Sequence, residues 1–385
     1  MRYTEKQKRR AFRGEPQGRT FRAVPGLTVA LVLLSGLWTE APAQTNWQRE
    51  WEQVLAAAER EGQVNVGGPP GDVYRIALVE VFQKKYPKIR IEWDGASGRE
   101  KMPKIVRERE SGIFNWDVYV GGSGSILRVL KPIGAFDPLR PELILPEVLE
   151  DARWFGGFQV GFVDREGKLI YGFDATLADA VYVNWDFLAP NELRSVKALS
   201  DPKWAGKIVW EDPRQEGSGL NTAVVFSLSY GEDFLKKLYR GQKIVFTRDR
   251  RQLTEWVVRG RYPIGVSLPT ELLAKYQEIG VGKNVKSLPD STLVDSYTQG
   301  FGSLAVFNRR PHPNAARVFM NWLLSREGQT SWVTHIEGRN SRRQDVPVGA
   351  PELALKPNKK YLNTQAEDYI PKREATMKLG KELIP

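Results

Sequence analysis

The chain has 385 residues, no cysteine, two histidines and a formal charge of +11. At roughly 100–200 residues per domain, that length predicts about two or three domains. Zero cysteine excludes disulfides, thiolate metal sites, cysteine nucleophiles, iron–sulfur clusters and a lipid-modified N-terminal cysteine, while two histidines exclude imidazole-rich metal sites.

Residues 1–22 carry eight basic side chains, ahead of the apolar run Leu27–Trp38 and then Ala41-Pro42-Ala43. That run is shorter than the roughly 20 residues that cross a bilayer. Basic, apolar, small-x-small is the order of a cleaved secretory signal peptide, here residues 1–43. Arg9-Arg10-Ala11-Phe12 is a partial twin-arginine signature lying far from the apolar run. The 43 residues hold eight basic and three acidic side chains, so the remainder carries +6. It shows no basic run with interleaved aromatics, hence no nucleic-acid footprint. Export without a lipid anchor predicts a protein retained in a periplasm.

The rest reads as two series of strand–helix alternations. Thr45 and Gln48 form a capping box for a helix that presents Trp47, Trp51, Val54, Leu55 and Ala58 on one face. A strand over 63–66, the loop 67–71 and a helix capped by Asp72 follow. Ile89, Ile91 and Trp93 alternate as a second strand, ending in a loop at 95–98. A helix over 99–110 and a strand over 116–120 lead into Gly121-Gly-Ser-Gly-Ser125. The second series has strands at 207–210, 244–246 and 264–268, with helices at 220–230, 248–259 and 270–279. Two apolar crossings, 169–187 and 297–307, link the series. The pattern predicts α/β architecture, with two doubly wound parallel lobes joined by those crossings.

Ligands of open α/β sheets bind outside the carboxyl ends of the strands. The loops at 67–71, 95–98, 121–125 and 211–219 all lie at such ends. Glycine there lets backbone N–H groups approach a ligand, and helix N-termini add partial positive charge. Gly68 and Gly219 are therefore candidate ligand contacts. Ser97, Ser123, Ser218 and Ser267 sit at strand ends too, where a hydroxyl can bind an oxyanion or cap a helix. Tyr171, Phe173, Tyr182 and Tyr297 lie on the crossings, Tyr182 being the candidate ligand contact. Enzyme motifs are missing: there is no G-x-S-x-G elbow, P-loop, H-E-x-x-H or D-x-D-x-D-G. His312 and His335 read as structural residues. No enzyme and no cofactor is expected.

Four stretches carry a resemblance to extracellular solute-binding proteins of ABC importers, in the ferric-iron-binding branch of the type II periplasmic fold. They are Trp116-Asp-Val-Tyr-Val120, Val181-Tyr-Val-Asn-Trp-Asp186, Glu211-Asp-Pro-Arg through Gly219, and Ala315 to Gln329 with its Ser-x-Glu-Gly-Gln cap. The resemblance implies one lobe over 44–178 plus 298–338 and another over 179–297 plus 339–385, closing on a small solute. It also implies a monomer that delivers the solute to an inner-membrane permease. Ferric-binding members place adjacent tyrosines after the strand corresponding to 264–268, where this chain has Ser267-Leu268-Pro269-Thr270. They often have a histidine in the first loop, where this chain has none. The expected ligand is instead a small organic anion, with Arg342 in the turn Gly338–Asp345 as its guanidinium partner beside Arg339 and Arg343. A ferric ion or chelate, a ligand-presenting sensor role and, last, a hydrolase are the alternatives.

Overall fold

The computed structural model describes residues 46–385, apart from 178, 179, 190, 191, 289 and 291. The expected signal peptide, its arginine pair and the Thr45 cap lie outside the described residues.

The first lobe is built on a sheet in which Gln63–Gly68 is flanked in parallel by Arg90–Gly95 and Val118–Gly121. Its fourth strand is Ser303–Phe307, from the second crossing, and it runs antiparallel to Val118–Gly121. Phe136–Asp137 and Ile170–Gly172 pair with the far edge of that returning strand. The second lobe repeats the plan. Ile208–Glu211 lies parallel between Val245–Thr247 and Ile264–Val266, and Val181–Asn184, from the first crossing, joins antiparallel. Each sheet is thus mixed rather than wholly parallel, because each crossing donates a strand that enters the second sheet it meets from the opposite direction.

Period-2 and period-3.6 patterning explains most elements. Val64 and Val66, then Val118 and Val120, are fully buried between helices packed on both faces of the first sheet. The long helix Pro313–Leu324 puts Ala315, Val318, Phe319, Trp322 and Leu323 into that core. Two helices that begin at strand ends, over residues 72–85 and 123–130, each contain a π-helical turn, Ile76–Glu80 and Ile126–Leu130. Such turns offset the first helical turn from the rest of its helix. In the second lobe, Glu232–Gly241 and Ile370–Leu383 add two helices that the sequence reading did not assign.

A small third sheet joins the lobes. Ser296–Thr298 pairs antiparallel with Thr176–Leu177 and parallel with Leu362–Asn363. The hinge therefore takes strands from both predicted crossings and from a third, C-terminal segment.

Residues 340–350 run along the first lobe. The Ala175 N–H donates to Asn340 O, Arg342 N–H to Phe173 O and Phe155 N–H to Arg342 O. Only further on does Ile370–Leu383 pack on the second lobe, where Leu379, Leu383 and Ile384 meet its core.

Candidate functional site

A cleft of about 290 Å³ opens where the strand ends of the two lobes face each other over the hinge. Its first wall comes from the loops after the three parallel strands of the first lobe and carries no ionised side chain. Pro70, Ser97, Gly98, Gly122, Gly124 and Ser125 line it, with Tyr74 and Tyr119 behind them. Burial pushes both phenols up, Tyr74 further through nearby Glu271, so both stay neutral. Ser97 caps its helix: its hydroxyl accepts from Glu100 N–H at 3.4 Å, and Glu100 Oε2 accepts from Ser97 N–H at 3.1 Å. Beneath this wall the buried Lys101 ammonium donates to Gly68 O at 2.7 Å and Asp94 O at 2.5 Å, tying two strand ends together. Burial lowers its pKa to about 8.

The second wall is charged. Arg250 Nη2 lies 2.9 Å from Glu271 Oε1, and its Nε lies 4.0 Å from Glu211 Oε2. Burial works against the Arg250 charge, but Glu271 and Glu211 outweigh it and hold the pKa above its usual value. Arg248 lies 3.0 Å from the buried Asp212. Glu216 sits between Arg128, at 2.8 Å, and Arg373. Three helices open on the cleft without a side-chain cap, at Ser123, Ser218 and Thr270. Their N-terminal N–H groups and dipoles favour an anion.

The floor is the hinge, lined by Thr176, Tyr182, Tyr297, Thr298, Gly300 and Arg339. Arg339 Nε donates to Asp174 Oδ2 at 2.7 Å. Asp174 is fully buried and also accepts from Trp332 Nε1 at 2.9 Å and Thr176 Oγ1 at 2.8 Å, which fixes the guanidinium plane. Burial alone would lower the Arg339 pKa, but Asp174 holds it above its ordinary value, so it stays cationic. Its Nη2 has no hydrogen-bond partner among the described residues.

Of the sequence-predicted residues, Ser97, Ser218, Ser267 and Tyr182 line the cleft. Ser267 has a left-handed backbone, φ 64°, and its hydroxyl bonds Thr222 Oγ1 at 2.8 Å and Ser218 O at 3.2 Å. Ser218 bonds Glu211. The other four do not line it. Ser123 is buried and donates to Gln365 O at 3.1 Å. Gly68 and Gly219 are packing positions. A Cβ at Gly68 would lie 1.9 Å from the Trp93 ring, and one at Gly219 would lie 2.0 Å from Glu211 O.

Arg342 is the main correction. It is 1% exposed, turned into the first lobe, and donates to the carbonyls of Phe155 and Gly157. Arg343 is buried likewise, 2.7 Å from Glu147 and from Asp345. Isolated bridges, Trp154 with Arg343 and Asp174 with Ser341, stitch this turn to the lobe and leave only Gly338 and Arg339 of it at the cleft.

Arg250 and Glu271 were missed, although each lies within the first two residues of a helix that follows a strand. Extending the strand-end search into the first helical turn would have found them. Among the aromatic residues of the crossings, Tyr182 and Tyr297 line the cleft while Tyr171 and Phe173 are core. His312 Nδ1 pairs with buried Asp117 at 2.8 Å, His335 Nδ1 with Ser331 O at 2.9 Å, and neither lines the cleft.

A profile of the family described as bacterial extracellular solute-binding protein matches residues 63–335. An uncharacterised protein of Haemophilus influenzae is 22% identical over 286 residues, covering 72% of this chain and 77% of that one. Among solved structures, the periplasmic binding protein AfuA of Actinobacillus pleuropneumoniae, with fructose-6-phosphate bound, superposes at a TM-score of 0.65. It is 18% identical, over 84% of this chain and 98% of that one. Iron-bound HitA of Pseudomonas aeruginosa gives 0.60 at 18% identity, over 83% and 99%. An ABC-transporter substrate-binding protein of Agrobacterium tumefaciens gives 0.64 at 16% identity, over 84% and 94%. The shared fold is that of type II periplasmic binding proteins.

Proposed function

We propose that this chain, which belongs to the family of bacterial extracellular solute-binding proteins, works in a periplasm as the binding component of an ABC importer for a small organic anion. The solute is a carboxylate, phosphonate or phosphate ester, and the closed protein delivers it to a membrane permease. The observation that carries this reading is Arg339. It is charged, oriented by Asp174 and lines the cleft floor, and its Nη2, buried beneath Gly300, has no hydrogen-bond partner among the described residues. The uncapped helix N-termini at Ser123, Ser218 and Thr270 add dipoles of the same sign. The sugar phosphate held by AfuA is a ligand of this chemical class.

The iron held by HitA motivates the rival. Against it, no group of three or more His, Asp or Glu placed to hold a metal ion occurs among the described residues. The cleft tyrosines Tyr74, Tyr119, Tyr182 and Tyr297 include no adjacent pair.

A thermal-shift screen of residues 44–385 against organic anions, polyamines, sugars and ferric chelates tests the reading. An anion at a thousand times its Kd stabilises by about 4 kcal/mol. Arg339→Lys keeps a cation beside Asp174 but loses the fork, and should weaken that anion at least about tenfold, or 1.4 kcal/mol. Stabilisation by ferric ion alone, or unchanged anion affinity in Arg339→Lys, would overturn it.

A further inference from the structure

Beside the cleft, a chain of ion pairs passes from one lobe to the other. Arg128, in the π-helical turn of the first lobe, places Nη1 2.8 Å from Glu216 Oε1 in the second. Its Nη2 lies 3.5 Å from Glu374 on the helix Ile370–Leu383. Glu216 is held from its own side by Arg373, which also donates to Asn221 Oδ1 at 2.6 Å and Thr364 O at 3.3 Å. Arg373 is 2% exposed. The two lobes meet closely here: a Cβ at Gly124 would lie 2.6 Å from Glu216 Oε2.

The C-terminal segment bridges the same gap. Leu362–Asn363 belongs to the hinge sheet. Residues 365–368 are then fastened to the first lobe: Gln365 O accepts from Ser123 Oγ at 3.1 Å, Glu367 N–H donates to Val163 O at 2.8 Å, and Glu367 pairs with Lys131 at 2.6 Å. Immediately afterwards Ile370–Leu383 lies on the second lobe, where Met377 joins Leu220 and Val224.

We propose that Arg128–Glu216–Arg373 is a closure latch, mounted on this third strap, that holds the lobes together before any solute arrives. The buried Arg373 fixes Glu216 in the second lobe, so a single arginine from the first lobe completes the contact and no main-chain refolding is needed. Opening separates Arg128 from both Glu216 and Glu374, while Glu216 keeps Arg373. The protein itself thereby sets part of its closing equilibrium, and a solute acts on an equilibrium already biased towards closure.

The test needs no solute, so its failure is separate from failure of the anion reading. The chain has no cysteine, so Lys84→Cys and Lys237→Cys place one spin label on each lobe without background labelling. Electron-electron distance measurements on the solute-free protein should show a population at the closed separation. Arg128→Met, at a residue outside the cleft lining, should lower the closed-to-open ratio about two- to fivefold, within the range for a partly exposed ion pair. Glu216→Gln should do the same, whereas Lys372→Ala, which breaks a pair within the second lobe alone, should not. Cooperative melting of each variant confirms that it is folded. A distance distribution unchanged in both Arg128→Met and Glu216→Gln, or shifted equally by Lys372→Ala, would overturn the latch.

Discussion

The two walls of the cleft are made from the same strand–loop–helix unit, yet they differ in charge. The first offers hydroxyls, glycines and backbone amides, and its single buried cation, Lys101, faces away from the cleft lining. The second offers Glu211, Glu216, Glu271, Arg248 and Arg250, each beside an opposite charge. Fixed dipoles on the first wall need no partner to hold their direction. The charges of the second hold one another in place and leave little net field of their own. On the anion reading proposed above, the helix N-termini and Arg339 would do most of the recognition, and the paired charges would supply shape and hydrogen bonds to the remainder of the solute.

Breaking the charged wall should cost most. Arg250→Met leaves Glu211 and Glu271 facing each other without their cation. Because Arg250 is one-third exposed, the expected loss is about 2 kcal/mol, below the range for fully buried pairs. Urea unfolding measures it, and a loss under half that size would mean the carboxylates find other partners.

On the neutral wall, Lys101 makes a pH-dependent contrast. Its pKa is about 8 in the folded chain and 10.5 when unfolded, so between these values the unfolded chain binds the extra proton. Stability relative to Lys101→Met should thus rise with pH, by about 1–2 kcal/mol from pH 7 to pH 9.5. A difference that stays constant across that range would show that Lys101 keeps its proton. The smallest effect is expected at Ser97→Ala, which removes one capping box and about 1 kcal/mol, read as a lowered melting point.

Much of this organisation was legible in the chain. Alternating Val64 and Val66, or Ile89 and Ile91, betray strands, and the glycine-rich loops mark the ends where the cleft forms. Glu232–Gly241 was legible too, since Phe234, Leu235, Leu238 and Tyr239 share one face, but it went unassigned. Arg339 and Arg342 were not separable. Three residues apart in one basic turn, they part company because two isolated bridges, made with residues more than 150 positions away, turn Arg342 inward. No local pattern encodes such a contact. Gly68 and Gly219 show the same limit, because a glycine that admits a ligand and one that admits an indole ring or a strand-end carbonyl look alike in sequence.

The pairing of Arg339 with the hinge has a mechanical consequence. A group near the fulcrum of two lever arms moves least when the arms swing, so the Arg339 guanidinium should keep its position as the lobes open and close. On the anion reading proposed above, a solute would be seized there first, by its anionic end, while the rim residues are still far apart. The swing then brings the tips of both arms to whatever the solute carries beyond that end. A change in length of the solute's tail alters how far the arms travel, not whether its head is held.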